Sequence, residues 1–253
     1  MHIRRFGTGP PVVMFHGFSL TGEQFSPAAG LLDRTIIAPD LPGHGSSGSH
    51  PADVDAVTAA IDILLDGLGR PTPVMGYSQG GRMALLSAIG DQSNVSALVL
   101  ISSNAGIRDQ TVRESRVERD HVLGDRIREI GVGAFVDSWT SVGITRLDHL
   151  DEAYRVWDRS VRSQNSADGL ASALRGYGQG AQPSVWHELG SLTMPVLLIV
   201  GSRDDRYTSI NTEMAGLIPD AELLVIGDAG HNPLADQPEV TYGAISRFLD
   251  RDG

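Results

Sequence analysis

A serine hydroxyl is a weak base and a weak nucleophile near neutral pH until an imidazole takes its proton and a carboxylate orients that imidazole. Three short stretches of this chain carry those groups. Gly76-Tyr77-Ser78-Gln79-Gly80 follows an apolar run ending at Met75 and leads into a helical pattern over residues 80–89. That is the strand–turn–helix setting in which a Gly-x-Ser-x-Gly sequence lifts a serine above a sheet. Ala229-Gly230-His231-Asn232 offers the imidazole after a run ending at Ile226. Gly201-Ser202-Arg203-Asp204-Asp205 offers the acid after a run over 196–200, with Asp204 preferred and Asp205 the alternative. Ser78, His231 and Asp204 are the expected catalytic groups. The backbone amides of Phe18, in His16-Gly17-Phe18, and of Gln79, at the start of the helix after the serine, are the expected donors to a developing oxyanion. His16 and His44 read as turn residues.

These groups lie far apart in sequence and need a scaffold that brings loop ends together. Apolar runs bounded by turn residues recur at 12–15, 35–38, 74–75, 97–101, 196–200 and 222–226, as buried strands of a parallel sheet do. Helical periodicity fills several gaps, most clearly over 53–68, where Val54, Val57, Ile61, Leu64, Leu65 and Leu68 fall three or four apart. The alternation predicts an α/β fold with a mostly parallel, doubly wound sheet. It stops after Ile101 and resumes at Met194-Pro195; between them the sequence reads as helices, including 109–130 and 151–164. A helical lid is expected over 105–190, inserted into a single core domain made of 1–104 and 191–253.

The chain has 253 residues, no cysteine and a net charge of −11. Disulfides and thiolate metal sites are excluded, and nucleic acid or an anionic membrane surface is disfavoured as a partner. No stretch approaches the apolar length of a membrane span, and the amino terminus lacks the apolar segment of a secretory signal, so a cytoplasmic location is expected. The acid excess is uneven. Residues 105–190 hold 11 arginines against 13 acidic residues, which leaves most of the negative charge elsewhere and makes the middle of the chain the least repulsive place for an anionic substrate. Every basic side chain is Arg and none is Lys.

At these motifs the chain resembles the α/β-hydrolase superfamily over its whole length. Within it, His16-Gly17-Phe18-Ser19, Asp40-Leu41-Pro42-Gly43-His44-Gly45, the extended Gly76-Tyr77-Ser78-Gln79-Gly80-Gly81-Arg82 and Ala229-Gly230-His231-Asn232 are similar to the menaquinone-pathway 2-succinyl-6-hydroxy-2,4-cyclohexadiene-1-carboxylate synthases, the MenH type. Gly106-Ile107, the helix through Arg113, Arg116 and Asp120, then Trp139 and Val161-Arg162-Ser163-Gln164-Asn165 resemble that family as well. The resemblance implies a carbon–oxygen lyase that abstracts a ring proton and eliminates pyruvate from 2-succinyl-5-enolpyruvyl-6-hydroxy-3-cyclohexene-1-carboxylate, without cofactor or metal. It also implies that Arg82, Arg116 and Arg162 bind substrate carboxylates and that Tyr77 and Trp139 line the pocket. Arg113 and Arg119 share a helical face with Arg116 and are alternatives to it. Arg82, one helical turn after Ser78, fits that role by spacing alone. Gln79 departs from the family, which commonly has an apolar residue there. The expected partner is a small polycarboxylate acting on a monomer or small homo-oligomer. The competing expectation is a carboxylesterase or carbon–carbon bond hydrolase with the same Ser-His-Asp groups.

Overall fold

The computed structural model describes residues 1–251. Seven strands form one sheet: β1 (Ile3–Phe6), β2 (Pro11–Phe15), β3 (Thr35–Pro39), β4 (Thr72–Tyr77), β5 (Val95–Ile101), β6 (Val196–Gly201) and β7 (Ala221–Ile226). Their order is β1-β3-β2-β4-β5-β6-β7, with β1 antiparallel to β3 and every other pairing parallel. The expected α/β architecture is therefore present, and the amino-terminal stretch supplies an antiparallel edge.

Successive side chains of a strand point to opposite faces, so a strand buried on both sides feeds two cores. Val13 and Phe15 of β2 join one core, and Val12 and Met14 join the other. Leu198 and Leu197 of β6 divide in the same way. Helices α1 (Val54–Asp66) and α2 (Gln79–Gly90) cover the first face. The α1 stripe Val57, Ile61 and Leu65 is buried there, and Asp53 caps the helix by accepting the Ala56 amide. Burial of each such side chain contributes about 1.5–3 kcal/mol. On the opposite face, the helix over Pro238–Leu249 buries Tyr242, Ile245 and Phe248.

Between β5 and β6 the chain leaves the sheet and forms α3 (Gln110–Trp139), α4 (Glu152–Arg162) and α5 (Ala167–Tyr177). The helix expected over 109–130 runs nine residues further, interrupted at Gly131, where φ is 77°. Helix α5, capped by Ser166, adds a third helix to the two whose ranges the sequence marks. Helices α3 and α5 share a small core of Ile127, Phe135, Val136, Leu170 and Leu174, against which Phe18 and Trp139 pack. After β6 come α6 (Asp205–Ala215), α7 (Pro233–Asp236) and α8 (Pro238–Leu249).

The strand order reverses between β2 and β4, where the loops leaving neighbouring carboxyl ends diverge and open a crevice. The turn from β4 into α2 is wedged against β2 at that crevice. A Cβ on Gly80 would lie 2.2 Å from the Phe15 carbonyl oxygen, and one on Gly76 would lie 2.4 Å from the Gly81 Cα. Both obstacles are backbone, which cannot swing aside as a side chain can. Gly80→Ala is expected to lower the unfolding free energy by about 3 kcal/mol or more. Gly90→Ala, where nothing lies within 4 Å, is expected to be neutral or slightly stabilising. Urea unfolding of both variants checks the contrast.

Candidate active site

The wedged turn forces Ser78 to φ 50° and ψ −109°, a region that non-glycine residues rarely occupy without surrounding constraint. The Ser78 amide donates to the Ile101 carbonyl at 2.8 Å and its carbonyl accepts the Arg82 amide at 3.1 Å, which fixes the turn at both ends. The hydroxyl is thereby raised over the carboxyl edge of the sheet and lies 3.1 Å from Nε2 of His231. Nδ1 of His231 donates to Oδ2 of Asp204 at 2.7 Å. Asp204 is also the amino-terminal cap of α6, where its Oδ1 accepts the Tyr207 amide at 3.2 Å. Asp205, the other candidate, is exposed on the first turn of α6 and does not reach His231. Asp204 and His231 are almost fully buried and Ser78 is half-buried. The three groups form one hydrogen-bonded relay that opens only at the serine.

Of the two expected oxyanion donors, Gln79 directly follows Ser78 in the chain, and Phe18 lines the same cleft from the loop after β2. Gln79 is the first residue of α2, where the helix offers its N–H no acceptor. In the loop after β2, the Gly17 amide donates to Gln24 and the Ser19 amide to Nε2 of His44. The Phe18 amide between them has no partner among the described residues. The loop itself is held by two histidines. Nε2 of His16 accepts the Leu41 amide at 2.9 Å and its Nδ1 donates to the Gly17 carbonyl at 2.8 Å. His44 uses its ring against Ser19 and the hydroxyl of Tyr177, which itself donates to the Pro42 carbonyl at 2.6 Å. Both rings are fully buried and structural, as their turn context indicated.

Ser78, Gln79 and His231 open into a cleft of about 790 Å³, its mouth included, between the sheet edge and the helices that follow β5. Tyr77, Arg82, Arg116, Trp139 and Arg162 all line it. The three arginines differ in their engagements. Arg82 is 7% exposed and donates to Oε1 of Gln182 at 2.9 Å, with the Tyr177 carbonyl at 3.5 Å. Among the described residues it has no carboxylate partner. Burial lowers its pKa to about 10, so it remains a cation at neutral pH. Arg116 is paired with Asp120 at 2.8 Å and donates to Gln179. Arg162 makes a two-pronged pair with Asp158, at 2.6 and 3.1 Å, and also holds the Phe18–Ser19 loop. Its charge is compensated and most of its donors are used, which its family position did not disclose. Arg113 and Arg119 hydrogen-bond within their own helix and lie outside the cleft lining.

Trp139 packs edgewise on Phe18, with ring centres 5.7 Å apart, and its indole N–H is buried without a partner, as is Oε1 of Gln79. Tyr207 packs beside His231 at 4.5 Å and, with Gln179 and Arg206, completes the wall. None of these last three was singled out in the sequence. Arg206 had one available signal: it lies two residues after the preferred acid, on the first turn of a helix that begins at the site. No helix is long and apolar enough to cross a membrane, and no cluster of potential metal ligands occurs among the described residues.

The model of the alpha/beta hydrolase family matches residues 12–244. The chain belongs to the alpha/beta hydrolase family. It is 33% identical over 245 residues to the putative 2-succinyl-6-hydroxy-2,4-cyclohexadiene-1-carboxylate synthase of Bacillus subtilis (strain 168), a match covering 94% of this chain and 89% of that one. Among solved structures it is similar to MenH from S. aureus, with a TM-score of 0.93, 27% identity and coverage of 99% and 98% of the two chains. It also resembles a thermophilic esterase from Thermogutta terrifontis, solved with malate bound, at a TM-score of 0.84, 27% identity and coverage of 98% and 92%. Within the alpha/beta hydrolase family the chain is therefore of the MenH-like kind.

The buried histidines generate a prediction about stability. Burial lowers the His16 pKa from 6.5 to about 4 and the His44 pKa well below its ordinary value. Between pH 6.5 and 4 the unfolded chain takes up protons that the folded chain refuses, so acidification through that window costs stability. The loss from His16 alone is on the order of 3 kcal/mol. Urea midpoints measured across the window are expected to fall with pH, and His16→Gln is expected to flatten part of the decline. A profile unchanged by that substitution would mean that His16 is not held neutral.

Proposed function

We propose that this protein is a carbon–oxygen lyase of menaquinone biosynthesis that abstracts a proton and eliminates pyruvate from 2-succinyl-5-enolpyruvyl-6-hydroxy-3-cyclohexene-1-carboxylate. The observation that carries the proposal is the Arg82 guanidinium, buried beside Ser78 with no carboxylate to neutralise it, in a cleft whose lining holds four arginines and no acidic residue. A buried cation without a counterion is costly. It is retained to advantage where an anionic substrate supplies the missing charge through paired hydrogen bonds. A neutral ester would leave that cost uncompensated.

In the proposed mechanism, His231, oriented by Asp204, takes the proton from Ser78, and the serine oxygen removes the acidic ring proton. The electron pair of the broken C–H bond forms the new ring double bond, and the C–O bond to the enolpyruvyl group breaks. The proton held on His231 passes to the departing enolate, which leaves as pyruvate, and the relay returns to its starting state. The Phe18 and Gln79 amides stabilise charge on a substrate oxygen, where preorganised donors act without reorganising. Arg82 and Arg116 bind carboxylates and hold the ring in register above the hydroxyl. Arg162 contributes its remaining donor edge while locking the Phe18–Ser19 loop. Tyr77 and Trp139 form the apolar walls, and the unpaired Trp139 N–H and Gln79 Oε1 are available to polar groups of the substrate.

Residues 105–190 act as a lid over a core made of 1–104 and 191–253. Neither metal nor cofactor enters any step, and the enzyme works as a monomer or small homo-oligomer on a dissolved substrate, which goes with a cytoplasmic site of action. A carboxylesterase activity is the second reading, favoured by the likeness to the T. terrifontis esterase. It would use the same hydroxyl as an acyl-forming nucleophile.

Pyruvate release from the enolpyruvyl substrate, followed by coupled reduction of the pyruvate, separates the two. Ser78→Ala is expected to lower turnover by about 10³-fold or more. Arg82→Met is expected to lower kcat/KM by about 10²-fold or more while leaving stability unchanged or raised, since it removes a buried unpaired charge. Pyruvate release that survives Ser78→Ala, or rapid hydrolysis of p-nitrophenyl esters with no pyruvate formed, would overturn the proposal.

A further inference from the structure

The chain carries a net charge of −11, yet the cleft presents four guanidinium groups and no carboxylate. Three of the four are engaged by the protein: Arg82 by Gln182, Arg116 by Asp120 and Gln179, and Arg162 by Asp158 and the Ser19 loop. Arg206 is not. It is exposed on the first turn of α6 and, among the described residues, forms neither a hydrogen bond nor an ion pair. The neighbouring surface arginines behave differently, since Arg203 pairs with Asp228 at 2.8 Å and Arg108 with Glu213 at 2.7 Å.

Among the described residues, the Arg206 side chain interacts with an aromatic ring. Its guanidinium carbon lies 5.9 Å from the centre of the Tyr207 ring, within reach of a weak cation–π attraction. The other links of Tyr207 run inward. Its ring sits 4.5 Å from that of His231, and its hydroxyl accepts a hydrogen bond from Gln179 at 3.4 Å. Gln179 in turn accepts from Arg116. One wall of the cleft is therefore a continuous strip, Arg206-Tyr207-Gln179-Arg116, that starts with a solvated cation and passes His231 at the Tyr207 ring. A carboxylate arriving from solvent meets no acidic residue on that lining.

We propose that Arg206 is a specificity-determining residue that receives a carboxylate of the incoming substrate at the cleft mouth and favours polycarboxylates over neutral substrates. This rests on the polycarboxylate reading of the site given above. A solvated charge at the rim of a binding site acts chiefly on association and on salt dependence, whereas buried paired charges act on retention. A positive mouth on an acidic protein also concentrates field lines where the anion must enter. Arg206 thus acts in capture, and Arg82 and Arg116 in holding. The Tyr207 ring stands between Arg206 and His231, so the chemical step does not depend on Arg206.

The test compares the full-length protein with Arg206→Gln and Arg206→Lys, following pyruvate release at low and high ionic strength. Arg206→Gln is expected to raise KM by about fivefold to tenfold and to change kcat by less than about twofold, with a shallower dependence on salt. Arg206→Lys, which keeps the charge, is expected to recover most of the loss. Binding of isophthalate, a rigid dicarboxylate, measured by calorimetry, supplies a readout independent of turnover and is expected to weaken in Arg206→Gln by a similar factor. An unchanged KM and unchanged isophthalate binding in Arg206→Gln would overturn the role of Arg206 while leaving the lyase proposal intact. If the parent protein releases no pyruvate but its isophthalate binding weakens on Arg206→Gln, the lyase proposal falls and the capture role stands. If the parent neither releases pyruvate nor binds isophthalate, both fall.

Discussion

The contact between the Gly80 position and the Phe15 carbonyl sets the geometry from which the rest of the site follows. Because α2 starts almost touching β2, the chain between β4 and α2 has no room for an ordinary turn, and Ser78 is held at positive φ. That single backbone state aims the hydroxyl out of the sheet and exposes the Gln79 amide at the head of the helix. Phe18 lies three residues beyond β2, the strand against which the turn is wedged, and lines the same cleft. The strain at Ser78 is local, and the packing of α2 against β2 and β4 over-determines it.

A second constraint is electrostatic. An acidic chain has gathered cations at one cleft and has balanced them unevenly. Asp120 and Asp158 each sit one helical turn from an arginine and neutralise it. Arg82 hydrogen-bonds only to neutral oxygens among the described residues. The difference is functional in kind: a neutralised guanidinium can shape a wall at modest cost, whereas an unneutralised buried one is destabilising until an anion arrives. In the proposed mechanism, the stability given up at Arg82 is the counterpart of discrimination between charged and neutral substrates, because binding energy realised only with the correct ligand is what separates them.

Much of this was legible in the sequence, for reasons of chain geometry. In a parallel sheet, loops after successive strands emerge at one edge, so a serine after β4, an acid after β6 and a histidine after β7 had to face a common crevice. The choice between Asp204 and Asp205 depended on which of two adjacent carboxylates caps α6, a difference of one residue in helix start that spacing does not resolve. The compensation of Arg162 was partly visible, because Asp158 precedes it by four residues in a helical stretch. Its grip on Ser19 was not, since 143 residues separate them. Helix α5 was hidden by its two glycines and short apolar stripe. The wall of Tyr207, Gln179 and Arg206 comes from three-dimensional packing between α6 and the turn after α5, which no local pattern encodes.

In the proposed mechanism the Ser78 oxygen, served by His231 and Asp204, acts as a base toward a ring carbon and not as an acyl acceptor. The measurement closest to it compares pyruvate release from the enolpyruvyl substrate with and without deuterium at the ring position that loses its proton, with rapid quenching to detect protein-bound species. A base role for Ser78 predicts slower release from the deuterated substrate under kcat/KM conditions and no covalent adduct on Ser78. Equal rates accompanied by a Ser78-linked intermediate would contradict it.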